Sequence, residues 1–218
     1  MLIGISGMIG SGKSVLSEKL IKHYKKNALL LNEFEEEDEV FNTMLKWLYD
    51  RKPNFDITFQ TYAIEHHLGM VEQIKNDFKN KAMNPAKDII FLDRFIAEHY
   101  VFATVNLSHS SQKIKDAYEA LFAKMVTKED IPEFAIFLDV SPTEFKKRLF
   151  ARGRKVEIDS FDQNKDYFDH LLRIYKDTFE KVANRYQIKF EIIDTNDLTE
   201  QQVFEKAVEL IEKHKKEK

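Results

Sequence analysis

Residues 7–14, GMIGSGKS, stand between a short apolar run, LIGIS, and an amphipathic stretch, VLSEKLIKHY. Three glycines followed by Lys-Ser leave the backbone little choice. The chain has to leave a strand through a tight turn, with its amide groups facing inward, and begin a helix at once. The spacing is that of the Walker A loop, G-x-x-x-x-G-K-[ST]. Inward N–H groups and the positive end of the new helix together cradle a polyphosphate. Gly7, Met8, Ile9, Gly10, Ser11 and Gly12 line that cradle, Lys13 is placed to reach the β and γ oxygens, and Ser14 offers a hydroxyl to Mg²⁺. The loop alone does not reveal the acceptor of the phosphoryl group.

Such a loop calls for a sheet around it. Four more apolar runs, ALLLNEF, DIIFLDR, FAIFLDV and IKFEIID, read as strands. Between and after them, apolar residues recur at helical spacing over VFNTMLKWLYD, FDITFQTYAIEHHLGMVEQIKNDF, FIAEHYVFATVNL, SQKIKDAYEALFAKMV, YFDHLLRIYKDTFEKVANRY and TEQQVFEKAVELIEKH. SPTE opens a further helix, with Ser141 as N-cap, Pro142 in the first turn and Glu144 completing a capping box. Five strands interleaved with helices predict a doubly wound, mainly parallel α/β sheet. Ligands gather beyond the strand C-termini in such sheets, and those ends carry Gly7–Ser14, Glu33, Asp93 with Arg94, Asp139 and Asp194.

Composition narrows the function. No linker or repeat divides the 218 residues, so residues 1–218 are expected to form one domain. No apolar run approaches the roughly 18–20 residues that span a bilayer, and the chain enters its first strand without a basic leader. A cytoplasmic protein that does not engage a membrane is expected. Without cysteine there are no disulfides or thiolate metal sites. With 34 basic against 37 acidic residues there is no broad positive field, which points to nucleotides rather than polynucleotides. The terminal KHKKEK reads as a solvated helix end.

Chemistry then concentrates at three places. IIFLDR has the form of a Walker B strand, whose Asp93 would help to hold Mg²⁺; Asp139 in FLDV looks similar and is its rival. Arg94, emerging from a buried strand, must find an anion, and Glu33 is a candidate carboxylate that would in turn accept a proton from an attacking hydroxyl. Arg148 and Arg152, four apart on one helical face, and Arg154 after a glycine, suggest an arginine-rich lid over about residues 152–165.

Taken together, these motifs resemble the deoxynucleoside kinase family, which includes the deoxyadenosine, deoxyguanosine and deoxycytidine kinases. FQTY (Phe59 to Tyr62) is similar to its F-Q-x-Y, DRFIAEHYVFA to its [DE]-R-S-x-x-x-x-x-x-F segment, RGRKVE to its R-G-R-x-E-E lid, and DTNDL to the loop bordering the adenine of ATP. The resemblance implies a P-loop kinase fold, ATP and Mg²⁺ as cofactors, a deoxynucleoside acceptor and a homodimer built on helices between Phe41 and Phe122. It also implies roles: Glu33 as base for the 5′-hydroxyl, with Arg94 steadying it; Tyr49 and Glu157 on the 3′-hydroxyl; Gln60 and Phe59 on the base. Arg148, Arg152 and Arg154 would clamp the phosphates, and Asp194 and Asn196 would border the adenine. Three departures stand out: Phe95 where relatives carry serine or threonine, Val156–Glu157 in place of a glutamate doublet, and His67 with His99 where an arginine and an aspartate often read the base. The general look of the chain favours a purine acceptor. The competing readings are a nucleoside-monophosphate kinase of thymidylate-kinase type and a GTP-dependent switch; no N-K-x-D sequence supports the latter.

Overall fold

Each of the five apolar runs becomes a strand: β1 (Leu2–Gly7), β2 (Ala28–Leu31), β3 (Ile89–Asp93), β4 (Phe134–Asp139) and β5 (Lys189–Asp194). The computed structural model describes residues 1–32, 39–50, 52, 53, 55–152 and 165–217, except the side chains of Tyr49 and Arg152. Every pairing is parallel and the order is β2-β3-β1-β4-β5. The first two crossovers therefore lie to one side of β1 and the later strands to the other, so the winding reverses at the strand that the phosphate loop extends. Register does the rest: Ile5 of β1 lies opposite Asp93 of β3, which brings the start of the loop beside the β3 terminus.

The described helices are α1 (Lys13–Tyr24), α2 (Glu39–Tyr49), α3 (Asp56–Asn80), α4 (Ile96–Asn106), α5 (Gln112–Met125), α6 (Pro142–Arg152), α7 (Lys165–Arg185) and α8 (Glu200–Lys216). A parallel sheet is covered on both faces because its crossovers must lie somewhere, and alternation along β1 divides its side chains accordingly. Ile3 and Ile5 meet Leu16 and Leu20 of α1 and Ala207 and Ile211 of α8. On the opposite face Leu2, Ile90, Leu92 and Phe137 meet residues of α3, α4, α5, α6 and α7. Among the described residues no helix is long and apolar enough to cross a membrane.

Local signals held, with one correction. Thr199 caps α8 reciprocally with Gln202. At α6 the Ser141 hydroxyl accepts from the Glu144 amide (3.3 Å), but Glu144 does not complete the box. Its carboxylate faces Arg148 Nε at 3.0 Å, and the Ser141 amide donates instead to Asn196 Oδ1 at 2.8 Å. A guanidinium one turn along outcompetes an amide that has a partner on a neighbouring loop.

Phe95, the first departure, has a packing reason. Its ring is wholly buried over the middle of β1, and a Cβ on Gly4 would come within 2.4 Å of it. The ring also meets Phe179 of α7 edge-on, with centroids 6.0 Å apart. Gly4→Ala is therefore expected to destabilise the fold by about 1–3 kcal/mol, as overpacking does. Adding Phe95→Leu should recover part of that loss in urea denaturation; equal losses in the single and double variants would rule out the clash as its cause.

Candidate active site

The loop has the backbone its glycines predict. Gly7, Gly10 and Gly12 have φ of 146°, 75° and 98°, and Gly12 hands the chain directly to α1. At Gly7 there is no room for a side chain either, since a Cβ would lie 2.6 Å from both the Leu138 carbonyl and Ser11 Oγ. The Lys13 ammonium is buried and donates to the Gly7 carbonyl at 2.7 Å and the Met8 carbonyl at 3.3 Å, so it rests across the loop it serves. Ser14 is exposed in the first turn of α1.

At the neighbouring strand end, Asp93 and Arg94 are both buried. Arg94 adopts φ 78°, a left-handed conformation that costs a non-glycine residue on the order of 1–3 kcal/mol. Its amide donates to the Ile5 carbonyl at 3.1 Å, its Nη1 lies 2.8 Å from Glu98 Oε2, and its guanidinium sits 4.7 Å from the centre of the Phe102 ring. Glu98, one turn into α4, has no exposed surface; it also accepts from the Gly7 amide at 3.2 Å and from the Tyr175 hydroxyl at 2.6 Å. Glu98 was not among the residues singled out from sequence. The signal available was the i,i+4 spacing of Arg94 and Glu98 directly after a strand. Glu33, the expected partner of Arg94, lies outside the described residues, as do Arg154, Glu157, Val156 and most of the expected lid.

Asp139, the rival metal ligand, is held by Lys176 Nζ at 2.5 Å, while its main chain receives the Thr195 amide and hydroxyl at 3.0 and 2.8 Å. Arg148 ties three segments together. Its Nη1 donates to the Ser11 carbonyl (3.3 Å) and to Thr195 Oγ1 (3.0 Å), and its Nη2 to the Thr195 carbonyl (2.6 Å). The guanidinium thus joins α6, the phosphate loop and the loop after β5. In that last loop the Asn196 amides donate to Asp194 Oδ1 at 3.0 and 2.6 Å, and these bonds hold the Asp194 carboxyl below its usual range.

Oxygen donors suited to Mg²⁺ stand on adjacent elements: the Ser14 hydroxyl at the start of α1 and the Asp93 carboxylate at the end of β3. Among the described residues no group of three His, Cys, Asp or Glu side chains forms a ready-made metal site. This donor set therefore fits a cation that arrives with phosphate oxygens rather than one held by protein alone.

A second, less charged region lies along α3. Gln60 and His67 are each 3 % exposed and lie on one face, two helical turns apart; His99 of α4 faces His67, with ring centroids 4.8 Å apart. Among the described residues neither Gln60 Nε2 nor His67 Nε2 has a hydrogen-bond partner, an arrangement that suits a ligand or water. Phe59, beside Gln60, packs with Phe41 and Phe55 in an aromatic cluster, at 5.6 and 6.4 Å. Burial pushes His67 down to about 4, with His66 helping and Asp130 opposing, and drives His99 well below the usual imidazole range, aided by His67, Arg94 and His66. Both rings are neutral at physiological pH, each offering one donor and one acceptor. Tyr49 lies in α2, and its side chain is outside the described set.

The deoxynucleoside kinase family profile matches residues 3–216. An uncharacterized protein of Mycoplasma pneumoniae is 31 % identical over 198 residues, covering 90 % of this chain and 83 % of that protein. A deoxyguanosine kinase of Lactobacillus johnsonii is 29 % identical over 188 residues, covering 83 % and 77 %. A solved structure of deoxyadenosine kinase from M. mycoides, with products dCMP and a flexible dCDP bound, superposes with a TM-score of 0.74 at 22 % identity, over 98 % of this chain and all of that one. It shares the fold.

The histidine pair gives stability a defined pH dependence. The unfolded chain takes up protons below about 6.5 that the folded His67 refuses until about 4. The contribution is complete above pH 6.5 and is lost as pH falls from there toward 4. Melting temperature should drop across that window, and His67→Gln should flatten the slope; an unchanged slope would show that the imidazole protonates freely in the folded state.

Proposed function

The chain belongs to the deoxynucleoside kinase family and is an enzyme that phosphorylates nucleosides from a nucleotide donor; we propose that it moves the γ-phosphoryl group of ATP to the 5′-hydroxyl of a deoxynucleoside, in cytoplasmic salvage. The observation that carries this reading is the meeting, at the ends of paired strands β1 and β3, of a lysine-bearing phosphate loop with a buried arginine, next to neutral polar side chains on α3.

In this reading the loop amides and Lys13 hold the donor's phosphates. Arg148, Arg152 and Arg154 add charge around them, and Asp194 and Asn196 border the adenine. Bound Mg²⁺, held by Ser14 and Asp93, would neutralise charge between the β- and γ-phosphates. Glu33 orients the 5′-hydroxyl and takes its proton, and Arg94 steadies the reacting oxygens. Tyr49 and Glu157 hold the 3′-hydroxyl, while Gln60, Phe59, His67 and His99 meet the base. Transfer through a loose transition state asks mainly for positioning and charge compensation, which such a set supplies.

Phe59, Gln60, Ile64, His67 and His99 present no cation to the acceptor at neutral pH, which suits a nucleoside better than a monophosphate. For the base, we favour a purine, in keeping with the L. johnsonii relative. A homodimer would use the α3–α5 side, where an apolar groove is lined by Ile57, Tyr62, Leu121 and Met125.

ATP turnover against the four deoxynucleosides, their ribose counterparts and the monophosphates tests the assignment. Phosphorylation of a deoxynucleoside is expected; turnover of monophosphates alone would replace it. Glu33→Gln and Arg94→Ala should each lower kcat about 10²-fold or more with the fold retained, and near-normal turnover in either removes that residue's role. Replacing His67 and His99 with Arg and Asp should shift the purine-to-pyrimidine ratio of kcat/KM by about ten-fold, read from the same panel.

A further inference from the structure

Glu98 is not part of the chemistry proposed above, yet it touches both the phosphate loop and Arg94. We infer that Glu98 is a positioning residue: it holds Arg94 in its left-handed conformation and fixes that arginine against the first residue of the phosphate loop. The inference rests on the phosphotransfer reading for the meaning of Arg94, and on three contacts for its own.

One carboxylate oxygen receives the Gly7 amide at 3.2 Å. The other lies 2.8 Å from Arg94 Nη1, an ion pair, and receives the Tyr175 hydroxyl at 2.6 Å. Gly7 ends β1 and Arg94 directly follows the last residue of β3, and both carry positive φ, at 146° and 78°. A wholly buried carboxylate thus bridges two backbone positions that would otherwise relax, and Tyr175 anchors the bridge to α7. A non-glycine residue stays left-handed only where its surroundings over-determine it. The Arg94–Ile5 main-chain bond supplies one restraint and the Glu98 ion pair another. Without the second, the guanidinium is free to turn with its backbone, and its distance from the phosphate cradle is no longer set.

Glu98→Gln tests this, because it keeps the shape, offers one carbonyl oxygen in place of the charge, and leaves Lys13 and Asp93 untouched. Wild-type turnover is measured first and decides the phosphotransfer reading by itself; the variants are then compared on whichever acceptor is turned over. Glu98→Gln should lower kcat about ten-fold or more while the KM for ATP changes less than about three-fold. Combined with Arg94→Ala it should add no more than about a three-fold loss to that of Arg94→Ala alone, since a residue that acts through another has nothing to act through once its partner is gone. Multiplying losses in the double variant, or wild-type kcat in Glu98→Gln, would overturn the inference. Should Glu98→Gln fail to fold, Glu98→Asp, which retains the charge and shortens the reach by one methylene, enters the same cycle with the same two outcomes.

Discussion

A carboxylate with no exposed surface survives only where donors and a cation surround it, and Glu98 meets that condition through the Gly7 amide, the Tyr175 hydroxyl and Arg94. The requirement runs both ways. Arg94, itself buried, needs an anion, and the Gly7 amide, turned inward at the mouth of the loop, needs an acceptor. Meeting these three needs with one side chain locks the ends of β1 and β3 to α4 and α7. The phosphate loop and Arg94 consequently share one frame at the ends of paired strands β1 and β3, and the rate of phosphoryl transfer is largely a matter of placement.

The departures from the family pattern that fall within the described residues have reasons in packing and burial. Phe95 fits beside Asp93 and Arg94 because Gly4 leaves space for its ring on the central strand, so the residue serves the core. His67 and His99 replace a charged couple by a neutral one, and burial keeps them neutral. A neutral imidazole pair offers hydrogen bonds of either direction rather than charge, because tautomers let each ring present a donor or an acceptor.

Much of this was legible in the residues. The glycines and Lys-Ser of the loop, the five apolar runs and the helical spacing between them led to the observed sheet and helices. The convergence of Gly7, Asp93, Asp139 and Asp194 at one edge followed from strand C-termini alone. The partners of charged side chains were less legible. Arg94 was assigned to Glu33 by chemical plausibility, whereas among the described residues it meets Glu98. Asp93 and Asp139 were equivalent as text; only the fold gives Asp139 a lysine from α7. Arg148 reads as a phosphate clamp, while its observed bonds run to the Ser11 carbonyl and to Thr195.

The division has a physical basis. Loop geometry, strand and helix periodicity and the order of crossovers depend on residues close together in the chain, so the sequence by itself determined the glycine-rich loop, the parallel sheet and the edge at which the strand C-termini converge. Which carboxylate answers which cation, and whether an imidazole stays neutral, depends on groups tens of residues apart and on how completely water is excluded from between them. Those choices were made only when α4, α6 and α7 packed against the sheet, because a charge finds its partner and its dielectric in space.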